Sequence, residues 1–346
     1  MTPKIAILGA GANGAAIGAD MVRAGHDVTL IEQWPAHVEA MRAHGVKVIT
    51  PRHNLVETTE VRAYHLCEVA SLRERFDLVY MVLKSYDARW GAELIKPVLA
   101  DDGMVIGLQN GMRHRDIVSI LGSERTLGAV IEMGSNLLGP GDIERHVPRD
   151  RSWFSVGSED PIAHARAEEA AAVLRAAGTV EVIDDIEAAK WMKLVLNASQ
   201  LVPSGILDRS IVEAASLPSM RPLMIEAGLE ALRAVATHGV GLRPIMGMTD
   251  VDPNDPRGYL EHIFELLLNG FALPTTKATM VYDWRHGRRS EAGDINGEVV
   301  RTLGAQQAPV NAAAAEIAYR IEAGILHPDP SNEALLNELI EQYRKG

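Results

Sequence analysis

The chain has 346 residues, of which 47% are hydrophobic and 23% are charged, and its formal net charge is −12. The length leaves room for two domains of an ordinary globular protein, and the negative charge argues against a nucleic-acid-binding protein, which needs an excess of Lys and Arg. No apolar run approaches the roughly 20 residues that span a bilayer, so we expect no membrane partners. The sequence shows no signal-peptide pattern, and Cys67 is its one cysteine. From these two features we expect a cytoplasmic protein.

The first predicted elements surround a glycine-rich turn. Residues 5–8 form a short apolar run typical of a buried strand, residues 15–24 are rich in Ala and favour a helix, and residues 28–31 form a second apolar run. Between the first strand and the helix stands the pattern Gly-x-Gly-x-x-Gly, formed by Gly9, Gly11 and Gly14. Strand, turn, helix and strand in this order are typical of a dinucleotide-binding unit.

Each glycine of this turn has a physical role. Gly9 allows the tight turn that leaves the strand, Gly11 lets the backbone approach a pyrophosphate because it has no Cβ, and Gly14 lets the helix pack closely on the sheet. The start of the helix, where Asn13 lies, presents backbone N–H groups to phosphate oxygens. The sequence therefore predicts that Gly9, Gly11, Asn13 and Gly14 bind a dinucleotide.

The second apolar run ends in an acidic residue, Glu32. A carboxylate at this point can accept hydrogen bonds from the adenosine ribose hydroxyls, and it would repel a 2′-phosphate. Glu32 therefore favours NAD over NADP as the cofactor, although NADP stays possible.

Apolar runs and helical stretches alternate through the first half of the chain. The next strand-like runs are 46–49, 78–83, 104–108 and 127–131, and the helix-like stretches between them are 36–43, 88–99 and 114–121. This alternation predicts a parallel, doubly wound sheet with helices on both faces. Two more runs, 142–146 and 153–156, predict a small antiparallel addition at the sheet edge, and a helix over 163–177 and a strand over 180–183 complete the domain.

The pattern changes after residue 185. Helical periodicity covers 187–201, 220–238, 259–268, 293–303, 311–323 and 333–344, and no convincing strand remains. We therefore predict an α/β fold with a Rossmann-type domain over 1–185 and an all-helical substrate and dimerisation domain over 186–346. Residues 241–258, rich in Gly, Pro, Asp and Met, predict a loop or lid insertion, and the long apolar helices favour a homodimer.

Polar residues follow two of the predicted parallel strands. Lys84 comes after the strand over 78–83, and Asn110 comes after the strand over 104–108. Ligands of doubly wound sheets bind outside the carboxyl ends of the strands. Lys84 is therefore a candidate for a contact with a phosphate, a ribose or the nicotinamide, and Asn110 for a contact with a carboxamide or a substrate hydroxyl. A solvated turn is the alternative interpretation of each residue.

The first helix of the second domain carries polar residues on one face. Lys190, Lys193 and Asn197 stand at positions i, i+3 and i+7 of an otherwise apolar helix. Because buried polar groups need partners, this face is either a substrate-binding surface or a salt-bridged surface stripe. Further along, Glu291 lies in a polar run that either caps a helix or binds substrate, and the basic cluster over 285–289 either attracts an anionic substrate or is a solvated helix end.

Together these motifs resemble the ketopantoate reductase family over most of the chain, from about residue 3 to about residue 325. The resemblance rests on the glycine-rich turn, Leu83-Lys84, Gln109-Asn110-Gly111, Pro140-Gly141, Lys193-Leu194-x-x-Asn197, and Ser290-Glu291 followed by Asp294-Ile295-Asn296-Gly297. The last two patterns are much more specific than the glycine motif. The resemblance implies a nicotinamide-dependent dehydrogenase or reductase that acts on a CH–OH group, with no metal.

The resemblance also implies a role for each matching residue. Lys193 would be the general acid when a ketone is reduced and the general base in the reverse direction, and Lys84 would contact the cofactor. The residues expected to bind substrate are Asn110, Asn197, Thr279 and Glu291, with Asn110 also contacting the cofactor. Thr279 stands where the family has a Ser, which keeps the hydroxyl.

Three departures from the family pattern bear on cofactor and substrate. Leu201 stands where a second substrate-binding Asn is expected, Glu32 stands about where NADPH-using members have a basic residue, and extra residues lie near 241–275. These departures favour an NAD-linked relative that acts on another small 2-hydroxy, 2-oxo or polyhydroxy acid. The runner-up is a genuine NADPH-dependent 2-dehydropantoate 2-reductase. An opine-type dehydrogenase and a non-catalytic NAD-binding sensor are the remaining alternatives.

Overall fold

A computed structural model describes residues 2–345 of the chain. The chain divides into two compact units, with the boundary between Glu187 and Ala188. The first unit contains the strands and the second is helical.

The strands are short and mostly buried. In chain order they are β1 (Lys4–Leu8), β2 (Asp27–Glu32), β3 (Val46–Thr50), β4 (Leu55–Thr59), β5 (Arg62–His65), β6 (Phe76–Met81), β7 (Leu99–Gly107), β8 (Thr126–Glu132), β9 (Ser135–Gly139), β10 (Asp142–Arg145), β11 (Trp153–Gly157) and β12 (Thr179–Val182). Eight of them form one sheet in the order β12-β11-β8-β7-β6-β1-β2-β5. Every pair in this sheet is parallel except β8 with β11.

Helices cover both faces of this sheet. The helices of the first unit are α1 (Ala12–Arg23), α2 (Pro35–His44), α3 (Ala88–Ile95), α4 (His114–Leu121), α5 (Pro161–His164) and α6 (Ala167–Leu174). The side chains of β1 alternate: Ile5 and Ile7 join a core that includes residues of α1 and α6, and Ala6 and Leu8 join a second core with residues of α3 and α4. The predicted doubly wound Rossmann-type sheet is confirmed.

A second, four-stranded sheet departs from the prediction. Its order is β4-β3-β10-β9, with β10 parallel to β3 and antiparallel to β9. The placement of residues 46–49 in the main sheet was therefore wrong. The prediction of one edge addition from 142–146 and 153–156 was also wrong, because β11 pairs with β8 inside the main sheet. In β3, buried residues alternate with partly exposed ones such as Lys47, as in a sheet with one face toward solvent.

The second unit is built from helices. They are α7 (Ile186–Gly205), which starts just before the boundary, α8 (Ile211–Ser216), α9 (Met220–Thr237), α10 (Pro256–Leu266), α11 (Thr279–Arg285), α12 (Asn296–Leu303), α13 (Pro309–Glu322) and α14 (Asn332–Lys345). The short helices α8 and α11 were not predicted. Between α9 and α10 the chain forms turns and irregular structure. Within residues 2–345, no helix has the length and apolar character needed to cross a membrane.

Candidate active site

The glycine-rich turn joins β1 to α1. Gly9 has a φ of +93°, a left-handed conformation that favours glycine, and its N–H donates to the Ile31 carbonyl at 2.9 Å. A Cβ on Gly14 would lie 2.0 Å from the carbonyl oxygen of Gly9, so α1 packs on the turn at a distance that only glycine allows. Apart from Gly11 itself and its two chain neighbours, no heavy atom of the described residues lies within 4 Å of the place that a Cβ on Gly11 would take, which leaves this side of the turn open.

A dinucleotide fits this turn. The open side of Gly11 gives a pyrophosphate access to the backbone, and the first N–H groups of a helix such as α1 have no partner inside the helix. Oδ1 of Asn13 is buried and has no hydrogen-bond partner within the part of the chain that the structure describes. The Asn13 carboxamide therefore has hydrogen-bonding capacity left beside the turn.

Glu32 ends β2 and is buried. Its Oε1 accepts hydrogen bonds from the backbone N–H groups of Gln33 at 2.8 Å and Trp34 at 3.1 Å. These two donors fix the carboxylate at the end of the strand next to β1. In this position the carboxylate can accept hydrogen bonds from ribose hydroxyls.

Lys84 and Asn110 follow the next two strands of the sheet. Lys84 comes shortly after β6 and Asn110 shortly after β7. Gln109 holds the two strand ends together, because its Nε2 donates to the Met81 carbonyl at 2.8 Å, and the Leu108 N–H donates to the same carbonyl at 3.0 Å.

The strand order brings the predicted cofactor residues of the first unit to one edge. The strands β7, β6, β1 and β2 are consecutive neighbours and run parallel. Their carboxyl ends are followed, in that order, by Asn110, Lys84, the glycine-rich turn and Glu32. This is the edge at which doubly wound sheets bind their ligands.

The predicted polar face of the second unit lies on α7 and is buried. Lys190 is 2% exposed, Lys193 8% and Asn197 2%. A salt-bridged surface stripe would leave these side chains exposed, so their burial contradicts this alternative. Burial lowers the pKa of Lys190 to about 7, and the negative charge of Glu291 opposes this shift. Glu291 is therefore close enough to α7 for its negative charge to act on the ammonium group of Lys190.

A buried network of hydrogen bonds holds α7 in place through its backbone at Ala198. Nδ2 of Asn296 donates to the Ala198 carbonyl on α7 at 3.0 Å and to Oδ1 of Asn311 at 2.8 Å. Asn311 in turn donates from its Nδ2 to Glu230 at 2.7 Å, and the backbone N–H groups of Val310 and Asn311 donate to the same carboxylate at 3.0 and 2.9 Å. The network therefore links the helix of Lys193 to the start of α13.

Other predicted residues of the second unit have different surroundings. Thr279 is the first residue of α11 and is partly exposed. Within the basic cluster over 285–289, Arg285 donates to Asp208 at 2.8 Å, which gives this guanidinium a structural partner. Next to Glu291, the Ser290 hydroxyl donates to Glu322 at 2.6 Å and accepts from the Ala292 N–H at 3.2 Å.

Sequence reasoning missed two kinds of residue. His37, on α2, contacts the glycine-rich turn, and Asn296, Asn311 and Glu230 support α7. A His or a Glu in a helical pattern has the same appearance whether it is buried or exposed, so no local signal marked His37 or Glu230. For Asn296 a signal did exist, because it lies in one of the specific motifs.

The fold and the strand-end groups together define a class. They are those of the Rossmann-type fold, whose dinucleotide-binding members hold the ligand along the carboxyl edge of the sheet. Within residues 2–345, no group of three or more His, Cys, Asp and Glu side chains is placed to hold a metal ion.

Comparison with known families gives the particular assignment. A family model described as "Ketopantoate reductase PanE/ApbA" matches residues 5–159, and one described as "Ketopantoate reductase PanE/ApbA C terminal" matches residues 185–324. The chain therefore belongs to the ketopantoate reductase family. It is an oxidoreductase, and the family indicates a nicotinamide cofactor.

Individual relatives are distant but cover nearly the whole chain. A 2-dehydropantoate 2-reductase from Archaeoglobus fulgidus is 28% identical over 302 residues, which are 86% of this chain and 90% of the relative. The crystal structure of a family member from Ralstonia eutropha JMP134 has a TM-score of 0.76 at 27% identity and covers 94% of this chain and 100% of its own. A D-mandelate dehydrogenase solved with NADH and anilino(oxo)acetate shares the fold at 20% identity, with a TM-score of 0.78 and coverage of 93% and 99%.

Proposed function

We propose that this enzyme transfers a hydride between NAD(H) and a small 2-hydroxy or 2-oxo acid, polyhydroxy acids included. The observation that carries the proposal is the common edge of four neighbouring strands, where Asn110, Lys84, the glycine-rich turn and Glu32 follow one another. In this order the adenosine end of a dinucleotide would lie at Glu32 and the nicotinamide end toward Asn110.

The preference for NAD rests on Glu32. Two backbone N–H groups hold its carboxylate, so the negative charge cannot easily turn away from the ribose. A 2′-phosphate at this point would bring like charges together in a partly desolvated place. When bound, the nicotinamide supplies the hydride or accepts it.

Lys193 is our candidate for the general acid and base. When a ketone is reduced, negative charge develops on the carbonyl oxygen, and an ammonium at that oxygen stabilises the charge and donates the proton. In the reverse direction the amine removes the proton of the hydroxyl. Burial of Lys193 on an apolar helix strengthens this electrostatic effect because it excludes water.

The remaining roles are positioning roles. Asn197 lies one helical turn beyond Lys193 on the same buried face and can hydrogen-bond the substrate. Glu291 can accept a hydrogen bond from a substrate hydroxyl, and Thr279 can offer its hydroxyl. Asn110 would orient substrate and cofactor carboxamide. None of these groups needs to change its protonation state during turnover.

The test combines a substrate screen with one variant. Purified enzyme is assayed with NAD and with NADP against a panel of 2-hydroxy acids and sugar acids, and Lys193→Ala is assayed on the best substrate. We expect turnover with NAD, and a loss of roughly 10²–10⁴-fold in kcat for the variant with the Kd for NADH unchanged.

The matched control is Lys345→Ala, which removes an exposed lysine at the end of α14 and should leave both constants as they are. Full turnover by Lys193→Ala would contradict the assignment of the general acid. An enzyme that binds NADH but oxidises or reduces no member of the panel would favour the sensor or the opine-type alternative.

The second candidate is a genuine NADPH-dependent 2-dehydropantoate 2-reductase. It is favoured by the names of the relatives, of which the Archaeoglobus fulgidus protein and a 26% identical protein from Pyrococcus horikoshii each align over at least 90% of their length. A second assay, of 2-dehydropantoate with NADH and with NADPH, separates the two candidates: reduction with a strong preference for NADPH would support this one and contradict the NAD preference that we assign to Glu32.

A further inference from the structure

His37 is a fully buried histidine whose two ring nitrogens make different hydrogen bonds. The backbone N–H of Gly141 lies 2.8 Å from Nδ1, and the carbonyl oxygen of Ala10 lies 2.9 Å from Nε2. Because a backbone N–H only donates and a carbonyl only accepts, Nδ1 must be unprotonated and Nε2 must carry the proton. Burial lowers the pKa of His37, in keeping with this neutral form.

The contact at Nε2 fixes the peptide group at the centre of the glycine-rich turn. Ala10 lies between Gly9 and Gly11, and its N–H donates to the Ile31 carbonyl at 3.2 Å. Its carbonyl is held on the other side by His37. In a planar trans peptide the C=O and the following N–H point in opposite directions. A carbonyl of Ala10 directed at His37 therefore directs the Gly11 N–H away from α2.

The contact at Nδ1 anchors the histidine to the second sheet. Gly141 has a φ of +81° and belongs to the turn between β9 and β10. Its carbonyl accepts a hydrogen bond from the Lys47 N–H on β3 at 2.9 Å. His37 is thus hydrogen-bonded to the second sheet through Nδ1 and to the glycine-rich turn through Nε2. It thereby fixes the position of the turn relative to this sheet.

We infer that His37 is a positioning residue for the cofactor: it holds the Ala10 carbonyl so that the Gly11 N–H is oriented in advance for a pyrophosphate oxygen of the dinucleotide. This inference rests on the proposed function. Its physical basis is preorganisation, because a peptide group that is already oriented loses less freedom when the ligand binds.

Two conservative variants separate the two contacts. In His37→Asn the side-chain oxygen can accept from Gly141, as Nδ1 does, but the side chain is too short to reach Ala10. In His37→Gln the side-chain amide can donate to Ala10, as Nε2–H does, while the acceptor for Gly141 is lost. Each variant gives up one buried hydrogen bond, so the two should lose similar amounts of unfolding free energy.

The measurements are the Kd for NADH, by titration calorimetry without substrate, and the free energy of unfolding in urea. We expect His37→Asn to bind NADH about tenfold more weakly than the wild type and His37→Gln to bind within about twofold of it. Equal changes of Kd in the two variants, or no change in either, would overturn the inference and leave His37 a purely structural residue. A wild type that folds but binds neither NADH nor NADPH would instead overturn the proposed function.

A measurement on the unmodified enzyme covers the case in which a variant does not fold. The ¹⁵N NMR signals of the His37 ring distinguish its two neutral tautomers. We expect the Nε2–H tautomer with and without NADH. The Nδ1–H tautomer would contradict the geometry on which the inference depends.

Discussion

The two units form their candidate sites from different parts of the chain. In the first unit the centre of the candidate site is backbone: the turn around Gly9 and Gly11 offers N–H groups, and the neutral ring of His37 holds the turn. In the second unit the site is formed by side chains of α7, above all Lys193, and a network that ends in the carboxylate of Glu230 supports the helix. A backbone site depends on conformation, whereas a buried side-chain site also depends on how its charges are compensated.

The two units also compensate a buried carboxylate in different ways. In the first unit Asp20, on α1, pairs with the guanidinium groups of Arg23, Arg145 and Arg149. In the second unit Glu230 accepts hydrogen bonds from neutral N–H donors, and burial raises its pKa. The first arrangement pairs the carboxylate with cationic groups, while the second surrounds it with neutral donors inside the helical core. We therefore expect substitutions in the second unit to have larger effects on stability and on its pH dependence.

The largest effect should come from Glu230→Leu. This change leaves the N–H groups at the start of α13 and the amide of Asn311 without their acceptor, which should cost about 3–5 kcal/mol of unfolding free energy. Glu230→Gln keeps one acceptor oxygen and should cost about 1–3 kcal/mol. Urea unfolding of the purified variants measures both.

Glu341→Leu is the matched control, because Glu341 is exposed on α14 and a surface change of this kind should stay within about 0.5 kcal/mol. A Glu230→Leu variant as stable as the wild type would remove the contrast between the units, since it would mean that the network does not hold the helical core together.

A smaller effect should appear in the pH dependence of stability through Lys190. Burial lowers its pKa to about 7, whereas in the unfolded chain it is about 10.4. Between these values the unfolded chain binds more protons than the native state, so stability rises with pH. The unfolding free energy of the wild type minus that of Lys190→Met should rise by about 2 kcal/mol from pH 7 to pH 9 and stay nearly constant below pH 6.

The difference between wild type and Lys345→Met serves as the control for Lys190 and should not depend on pH. A flat difference for Lys190→Met as well would mean that the Lys190 ammonium keeps its charge in the native state. In that case Glu291 or another partner would compensate the charge completely, and the second unit would resemble the first.

The sequence predicted the conformation of the glycine-rich turn because the signals for it are local. Gly9 and Gly14 are needed for a turn that only glycine can form, and the carboxyl ends of parallel strands meet at one edge, so Lys84 and Glu32 could be placed at that edge from their positions after the strands. The error at β3 had a readable cause. Lys47 in the middle of an apolar run is typical of a strand with one exposed face, which is the environment of β3.

The supports of both sites could not be predicted because they depend on contacts between distant parts of the chain. His37 joins the turn at Ala10 to the hairpin at Gly141, more than a hundred residues further on. Glu230 accepts hydrogen bonds from Val310 and Asn311, which lie 80 and 81 residues further on. In sequence these residues look like the polar side of a surface helix. Only the packing of the elements shows that they are buried.

The smallest effect concerns Glu32, a charged side chain that lies beside the backbone turn of the first unit. Glu32→Gln removes the negative charge and keeps an oxygen that can accept from the N–H groups of Gln33 and Trp34, so stability should change little. The ratio of kcat/KM for NAD to that for NADP should fall about tenfold, because the repulsion of a 2′-phosphate is lost while the hydrogen bonds to the ribose are partly kept. Glu60→Gln, at an exposed position of the same unit, should leave the ratio unchanged. If the ratio also stays constant in Glu32→Gln, then the Glu32 carboxylate does not discriminate between NAD and NADP, and other groups of this unit decide the choice of cofactor.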